Sequence, residues 1–234
     1  KRRERHRNPL PPFTTSSLQQ EASRRLGFTA RKTMMLAQQL YEGLEMGQHG
    51  HVGLVTYIRT DSTRVSEVAQ QEARGFIASQ YGATYVPPTP PIYASKKNSQ
   101  DAHEAIRPTD VSLTPSKAAA YLAKDHLKMY TLIWERFVAS QMAAAVFDTM
   151  TIEIAAGIYG LRANGSRLKF PGFLAVYSET REDGESDVDI DLPELIPGQI
   201  VKIHKVLPVQ HFTQPPPRYT EASLVKTLEE KGIG

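Results

Sequence analysis

Cysteine is absent from all 234 residues, which excludes disulfides and thiolate metal sites and is compatible with a reducing compartment. No apolar run approaches the roughly 20 residues that span a bilayer, and basic Lys1–Arg7 has no apolar stretch behind it. Neither a membrane partner nor a signal peptide is expected. The phosphate-cradling pattern Gly-x-x-x-x-Gly-Lys-Ser/Thr is missing, which argues against ATP-driven chemistry, and there is no internal repeat. All six methionines are internal, starting at Met34, and the chain stops just after a helix-like segment, so it reads as a piece of a longer protein.

Hydrophobic residues make up 40% of the chain, enough to build a core. The net charge of +3 is segregated: Lys1–Arg7 carries five basic residues against Glu4, whereas 179–194 carries eight acids against Arg181. The remainder therefore holds about +6, a balance that permits a locally basic surface for a polyanion.

Pro9, Pro11 and Pro12 keep the basic head extended, and Thr14 to Ser17 offer N-caps, so a helix is expected from near Ser17 to Gly27. A second runs from about Ala30 to Met46, with Met34, Ala37, Leu40, Tyr41 and Leu44 on one face. The β-branched and aromatic run 54–58 reads as extended, Thr60-Asp61-Ser62-Thr63 as a polar turn, and 65–81 as a helix capped by Ser66 with Val65, Val68, Ala69, Phe76, Ile77 and Tyr81 inward. Pro87–Pro91 is a linker and 94–100 a surface loop. Helices follow over about 115–124 and 126–144, the second burying Leu127, Tyr130, Ile133, Trp134, Phe137 and Met142.

The period then changes to two. Alternation over 147–155, 158–161, 174–177, 188–192 and 201–206 predicts strands, closed by Pro215-Pro216-Pro217 and followed by a helix over 220–231 with Leu224, Val225 and Leu228 inward. Asp187, Asp189 and Asp191 resemble metal carboxylates, yet their alternation with Val188, Ile190 and Leu192 describes the solvated face of an edge strand.

A phenol with an ordinary pKa near 10 needs a nearby cation or a proton acceptor before it can act as a nucleophile at neutral pH. If 54–59 is extended, Val55, Tyr57 and Arg59 share one face, and a guanidinium two residues from the phenol can hold a phosphate or stabilise phenolate. Downstream, His103-Glu104-x-x-Arg107 superficially suggests a zinc helix, but arginine stands where a second histidine is needed and Pro108 stops a helix. Thr60, Asp61 and Ser62 either orient Arg59 or serve as turn and capping groups. The basic head is either a DNA contact or a solvated linker.

Four blocks carry a more specific signal: Pro12-Phe13-Thr14-Thr15-Ser16-Ser17-Leu18-Gln19-Gln20-Glu21-Ala22, Gly53-Leu54-Val55-Thr56-Tyr57-Ile58-Arg59-Thr60-Asp61-Ser62, Gln100-Asp101-Ala102-His103-Glu104-Ala105-Ile106-Arg107-Pro108-Thr109 and Pro217-Arg218-Tyr219-Thr220-Glu221-Ala222-Ser223-Leu224-Val225. In content and order the chain resembles the bacterial type IA DNA topoisomerases. The resemblance covers essentially the whole chain and is weakest over 179–200.

That resemblance implies an α+β multidomain fold in which a helical domain carrying the active tyrosine, residues 17–146, is inserted into a β arch domain formed by 1–16 and 147–217, with 218–234 beginning a further domain. It implies Tyr57 as the nucleophile, Arg59 as the ligand of the scissile phosphate, and His103 and Arg107 as DNA-binding groups near Tyr57, with Glu104 orienting its neighbours. His103 has the alternative of a plain structural hydrogen bond. The implied reaction is ATP-independent cleavage, strand passage and rejoining of single-stranded DNA through a 5′-phosphotyrosine, relaxing negatively supercoiled DNA in the cytoplasm, at the nucleoid. Mg2+ is implied for the full enzyme, held in a toprim domain outside this chain, so that the fragment alone is inactive in relaxation and depends on the remaining domains of its polypeptide. A non-catalytic single-stranded DNA-binding module is the alternative, and a winged-helix regulator a third.

Overall fold

The computed structural model describes residues 1–93, 103–178 and 192–233. The acidic stretch with Asp187, Asp189 and Asp191, most of the expected strand at 188–192 and the loop 94–100 lie outside the described residues.

The chain opens with strand β1 (Arg2–Arg7), then helices α1 (Thr15–Leu26) and α2 (Ala30–Glu42), and the two-residue strands β2 (Leu44–Glu45) and β3 (His51–Val52). Helices α3 (Glu67–Tyr81), α4 (Pro115–Ala118) and α5 (Lys124–Ser140) follow, then the long strands β4 (Ala145–Ala156) and β5 (Tyr159–Phe170), and finally α6 (Glu221–Glu230). Local chemistry sets most helix starts. The side chains of Thr14, Thr29, Ser66, Thr114 and Thr220 each accept a hydrogen bond from an amide of the first helical turn, and Pro115 occupies the first turn of α4. Gly27, at φ 65°, closes α1 in the left-handed region.

The helical expectations need four corrections. Helix α2 stops at Glu42, because Gly43 takes φ 119° and feeds the β2–β3 hairpin, so Leu44 leaves the helix and Tyr41 ends 38% exposed. Helix α4 has only one turn, its continuation to Leu122 being irregular, and α5 begins at Lys124. Val68 points to solvent, while Ala69, Ala73 and Ile77 form the buried face of α3. On α6 the buried residue is Ala222, and Leu224 and Leu228 are exposed.

Strands β1, β4 and β5 form one antiparallel sheet in the order β1-β4-β5. The basic head is therefore neither a linker nor free chain. Arg5 stacks its guanidinium over Phe147 and Arg7 over Phe173, while Glu4, opposite Asp148, is neutralised by an ion pair with Lys169. Cross-strand partners that charge periodicity alone does not reveal make this run a strand.

Two expected strands do not form. Residues 174 and 175 lie in a 3-10 turn over Gly172–Ala175, where Gly172 sits at φ 50° with no room for a side chain against the Ala143 and Ala144 carbonyls. That turn drives Phe173 and Tyr177 into the core. Residues 201–206 alternate as expected but pair with no sheet, and Ile203 and Val206 are exposed.

One continuous core joins the helices to the sheet. Leu18, Leu40, Ile77, Ile106, Trp134 and Phe137 pack in it together with Phe147, Phe173 and Tyr177 from the sheet side. A polar cluster crosses the same boundary: Tyr177 donates its hydroxyl to Glu21 at 2.8 Å, and Arg136 donates to the Pro11 carbonyl at 2.7 Å while lying over Phe13 and Tyr177. In this cluster Glu21 and Arg136 are each hydrogen-bonded, as burial requires.

Candidate active site around Tyr57

Three irregular segments, 13–15, 54–64 and 103–109, are sewn together by backbone. Phe13 pairs with Ile106 and Val55 with Pro108 as isolated antiparallel bridges. The Ala105 amide donates to the Arg64 carbonyl at 2.8 Å, and the Thr15 hydroxyl donates to the Ile58 carbonyl at 2.7 Å. The Thr56 hydroxyl donates to the Ala105 carbonyl at 2.8 Å and accepts from the Arg107 amide at 3.0 Å. The Thr56 and Thr15 hydroxyls thus satisfy backbone groups of chain segments about 45 to 50 residues away, which is how a loop without regular secondary structure is held in one shape.

Within this frame the extended reading of 54–59 holds only in part. A bend at Ile58 and Arg59 interrupts the run, and Val55 is buried, so it does not share a face with Tyr57. Tyr57 and Arg59 both emerge to solvent, alternating with the buried Ile58 and Thr60. The polar stretch after them is mostly internal: Thr60 and Ser62 are buried, and each hydroxyl accepts from the amide two residues on. These bonds hold the backbone beyond Arg59, and no hydrogen bond or ion pair joins the Arg59 side chain to another described residue.

Two rings lie against Tyr57. Tyr41 meets it edge to face at 5.5 Å with planes at 70°, and His103 lies at 5.3 Å with planes at 42°. The fold therefore brings His103 to Tyr57 across 46 residues of sequence. Arg107 is turned inward: its Nε donates to Glu104 at 2.8 Å, its Nη1 donates to the Pro108 carbonyl at 3.0 Å, and its side chain is only 14% exposed. Glu104 thus positions Arg107.

Among the described residues no three His, Cys, Asp or Glu gather as metal ligands, and Glu104, the carboxylate of this motif, is committed to Arg107. No helix among the described residues is long and apolar enough to cross a membrane.

Sequence periodicity assigned Tyr41 to a packing face and gave Thr56 no role. The signal for Tyr41 is Gly43, which ends the helix two residues later and leaves Tyr41 in its last turn.

The fourth block joins from the other end of the chain. Helix α6 packs on α1, Glu221 accepts from the Ala30 amide at 2.9 Å, and Ser16 donates to Glu229. All four blocks therefore meet across α1 and the segments beside it.

The mixed helix-and-strand architecture is that of a bacterial topoisomerase I: full-length topoisomerase I from Thermotoga maritima superposes with a TM-score of 0.77 and 38% sequence identity, over 100% of this chain and 37% of that one. A family model described as DNA topoisomerase matches residues 1–234, and the chain belongs to that family, among its bacterial type IA members. It spans little more than a third of the length of the Thermotoga enzyme.

Proposed function

We propose that this chain carries the nucleophile of an ATP-independent topoisomerase and that Tyr57 is that nucleophile. Its hydroxyl oxygen forms a bond to the phosphorus of a single-stranded DNA phosphodiester while the bond from phosphorus to the 3′-oxygen breaks. The phenol gives up its proton and the departing 3′-oxygen takes one, leaving a 5′-phosphotyrosine and a 3′-hydroxyl. Rejoining is the reverse, so the bond energy is conserved and no nucleotide is consumed. The observation that carries this reading is that Tyr57 is 38% exposed at the point where the family's blocks converge.

Arg59, exposed and two residues away, binds the scissile phosphate and spreads its developing charge. His103, against the Tyr57 ring, and Arg107, held by Glu104, approach the neighbouring phosphates. Residues 17–146 act as a helical domain inserted into an arch formed by 1–16 and 147–217, a division supported by the pairing of β1 with β4. The substrate is negatively supercoiled DNA at the bacterial nucleoid. Mg2+ and the acids that hold it belong to other parts of the polypeptide, so these 234 residues alone do not relax DNA.

The test is adduct formation by the complete gene product on a labelled single-stranded oligonucleotide with Mg2+. Tyr57→Phe should abolish the covalent band and leave non-covalent binding in place. An adduct that survives Tyr57→Phe overturns the assignment, and a protein that binds single strands without ever forming an adduct is a non-catalytic binding module.

A further inference from the structure

The backbone around Tyr57 is fixed by hydrogen bonds, but no hydrogen bond joins its phenol to another described residue. What restrains the ring is contact with Tyr41 and His103. The two neighbours differ. His103 carries a hydrogen-bonding ring suited to a phosphate, and turning to meet one would change its contact with Tyr57. Tyr41 offers a ring in T-shaped contact and a fixed base. The Leu54 amide donates to the Leu40 carbonyl at 2.7 Å, and a Cβ on Gly53 would lie only 2.8 Å from the Tyr41 carbonyl oxygen. Helix α2 is thereby pressed against the segment that leads to Tyr57, with no slack for a side chain between them.

We propose that Tyr41 is a positioning residue for the nucleophile: its ring, carried on the last turn of α2, holds the Tyr57 ring in the orientation from which the hydroxyl reaches the phosphorus. The inference rests on Tyr57 being the nucleophile. Edge-to-face contact uses the positive ring edge of one aromatic against the negative face of the other, so it needs the ring of residue 41 and not its hydroxyl. Since reactivity depends steeply on the approach of the attacking atom, loss of one wall should appear in the rate of the chemical step and not in DNA affinity.

Single-turnover cleavage at saturating oligonucleotide should be measured for Tyr41→Ala, Tyr41→Leu and Tyr41→Phe in the complete gene product. Non-covalent affinity should be measured for the same substitutions combined with Tyr57→Phe. Tyr41→Ala and Tyr41→Leu should slow cleavage by about 10- to 100-fold with affinity changed by less than about two-fold, while Tyr41→Phe should return the rate to within about three-fold of the parent. Leucine keeps most of the apolar volume, so it serves where alanine fails to fold. Parental rates in the alanine or leucine variant overturn the proposal, as does a Tyr41→Phe defect as large as that of leucine. The outcomes separate cleanly: an adduct in Tyr57→Phe removes the reading of Tyr57 itself, whereas an adduct-free Tyr57→Phe beside a normal Tyr41→Leu removes only the role of Tyr41.

Discussion

Thr56 and Arg107 are bonded through both backbone and side chain: the Thr56 amide donates to the Arg107 carbonyl at 2.9 Å, and the Arg107 amide donates to the Thr56 hydroxyl at 3.0 Å. The residue beside Tyr57 is thereby fixed to the segment that carries His103 and Arg107. The Thr56 hydroxyl adds a side-chain part to the backbone-to-backbone bonds that join these two segments.

Thr56→Val keeps the shape and removes the hydroxyl, leaving the Ala105 carbonyl and the Arg107 amide without that partner. The expected cost is about 1–3 kcal/mol, or roughly 2–4 °C of melting temperature for each kcal/mol in a protein of this size. Calorimetry checks it, and a variant that melts with the parent shows that the segments are held by other means.

Arg107 and Glu104 form a half-buried pair, with side chains 14% and 21% exposed. Glu104→Gln removes the neutralising charge and should raise affinity for single-stranded DNA at low salt. Arg107→Ala should flatten the dependence of log affinity on log salt by about 0.7 if the guanidinium meets one phosphate. Fluorescence anisotropy across a salt series gives the slopes, and parallel lines for Arg107→Ala and the parent would confine Arg107 to a structural role.

Burial pushes the Tyr177 phenol up to about 12, and burial likewise raises Tyr130. Both folded-state values lie above the ordinary value near 10, so the stability tied to the neutral phenols is complete below about pH 10. For Tyr177 it is lost as pH rises from there toward 12, by up to about 1.4 kcal/mol per pH unit. Urea unfolding should therefore weaken over that window. Tyr177→Phe should lower stability near neutrality, because Glu21 loses a hydrogen bond, and flatten the alkaline fall. An undiminished alkaline slope in Tyr177→Phe would contradict this account.

Gly172→Ala places a methyl 2.5 Å from the carbonyl oxygens of Ala143 and Ala144 at a backbone φ of 50°. The expected loss is at least about 2 kcal/mol, since left-handed strain and a backbone clash act together. Gly157→Ala is the control: φ there is also positive, at 63°, but nothing lies within 4 Å. Equal melting temperatures for the two variants would show that the joint at Gly172 yields.

Much of the helical part was legible because its signals are local. Thr14, Ser66 and Thr220 each precede a helix that they cap, and Gly27 ends α1, whereas the stop at Gly43 was overridden by apolar periodicity that runs on to Leu44. Alternation identified β4, but it misled at 174–177, where Gly172 and a 3-10 turn replace a strand, and at 201–206, where no sheet edge receives the run. Period-two patterning states which side chains share a face; it does not state whether a partner strand exists.

The sequence by itself determined the family, through four ordered blocks, and with it Tyr57, Arg59, His103 and Arg107 as candidates, since residue identity and spacing survive without coordinates. Only the tertiary structure decided that Tyr41 and His103 lie against Tyr57, that Glu104 occupies Arg107, and that the basic head is a strand on β4. The ring contacts and the strand pairing join residues 16 to about 150 positions apart, and contact at such separations is set by how the core closes, which no local preference encodes.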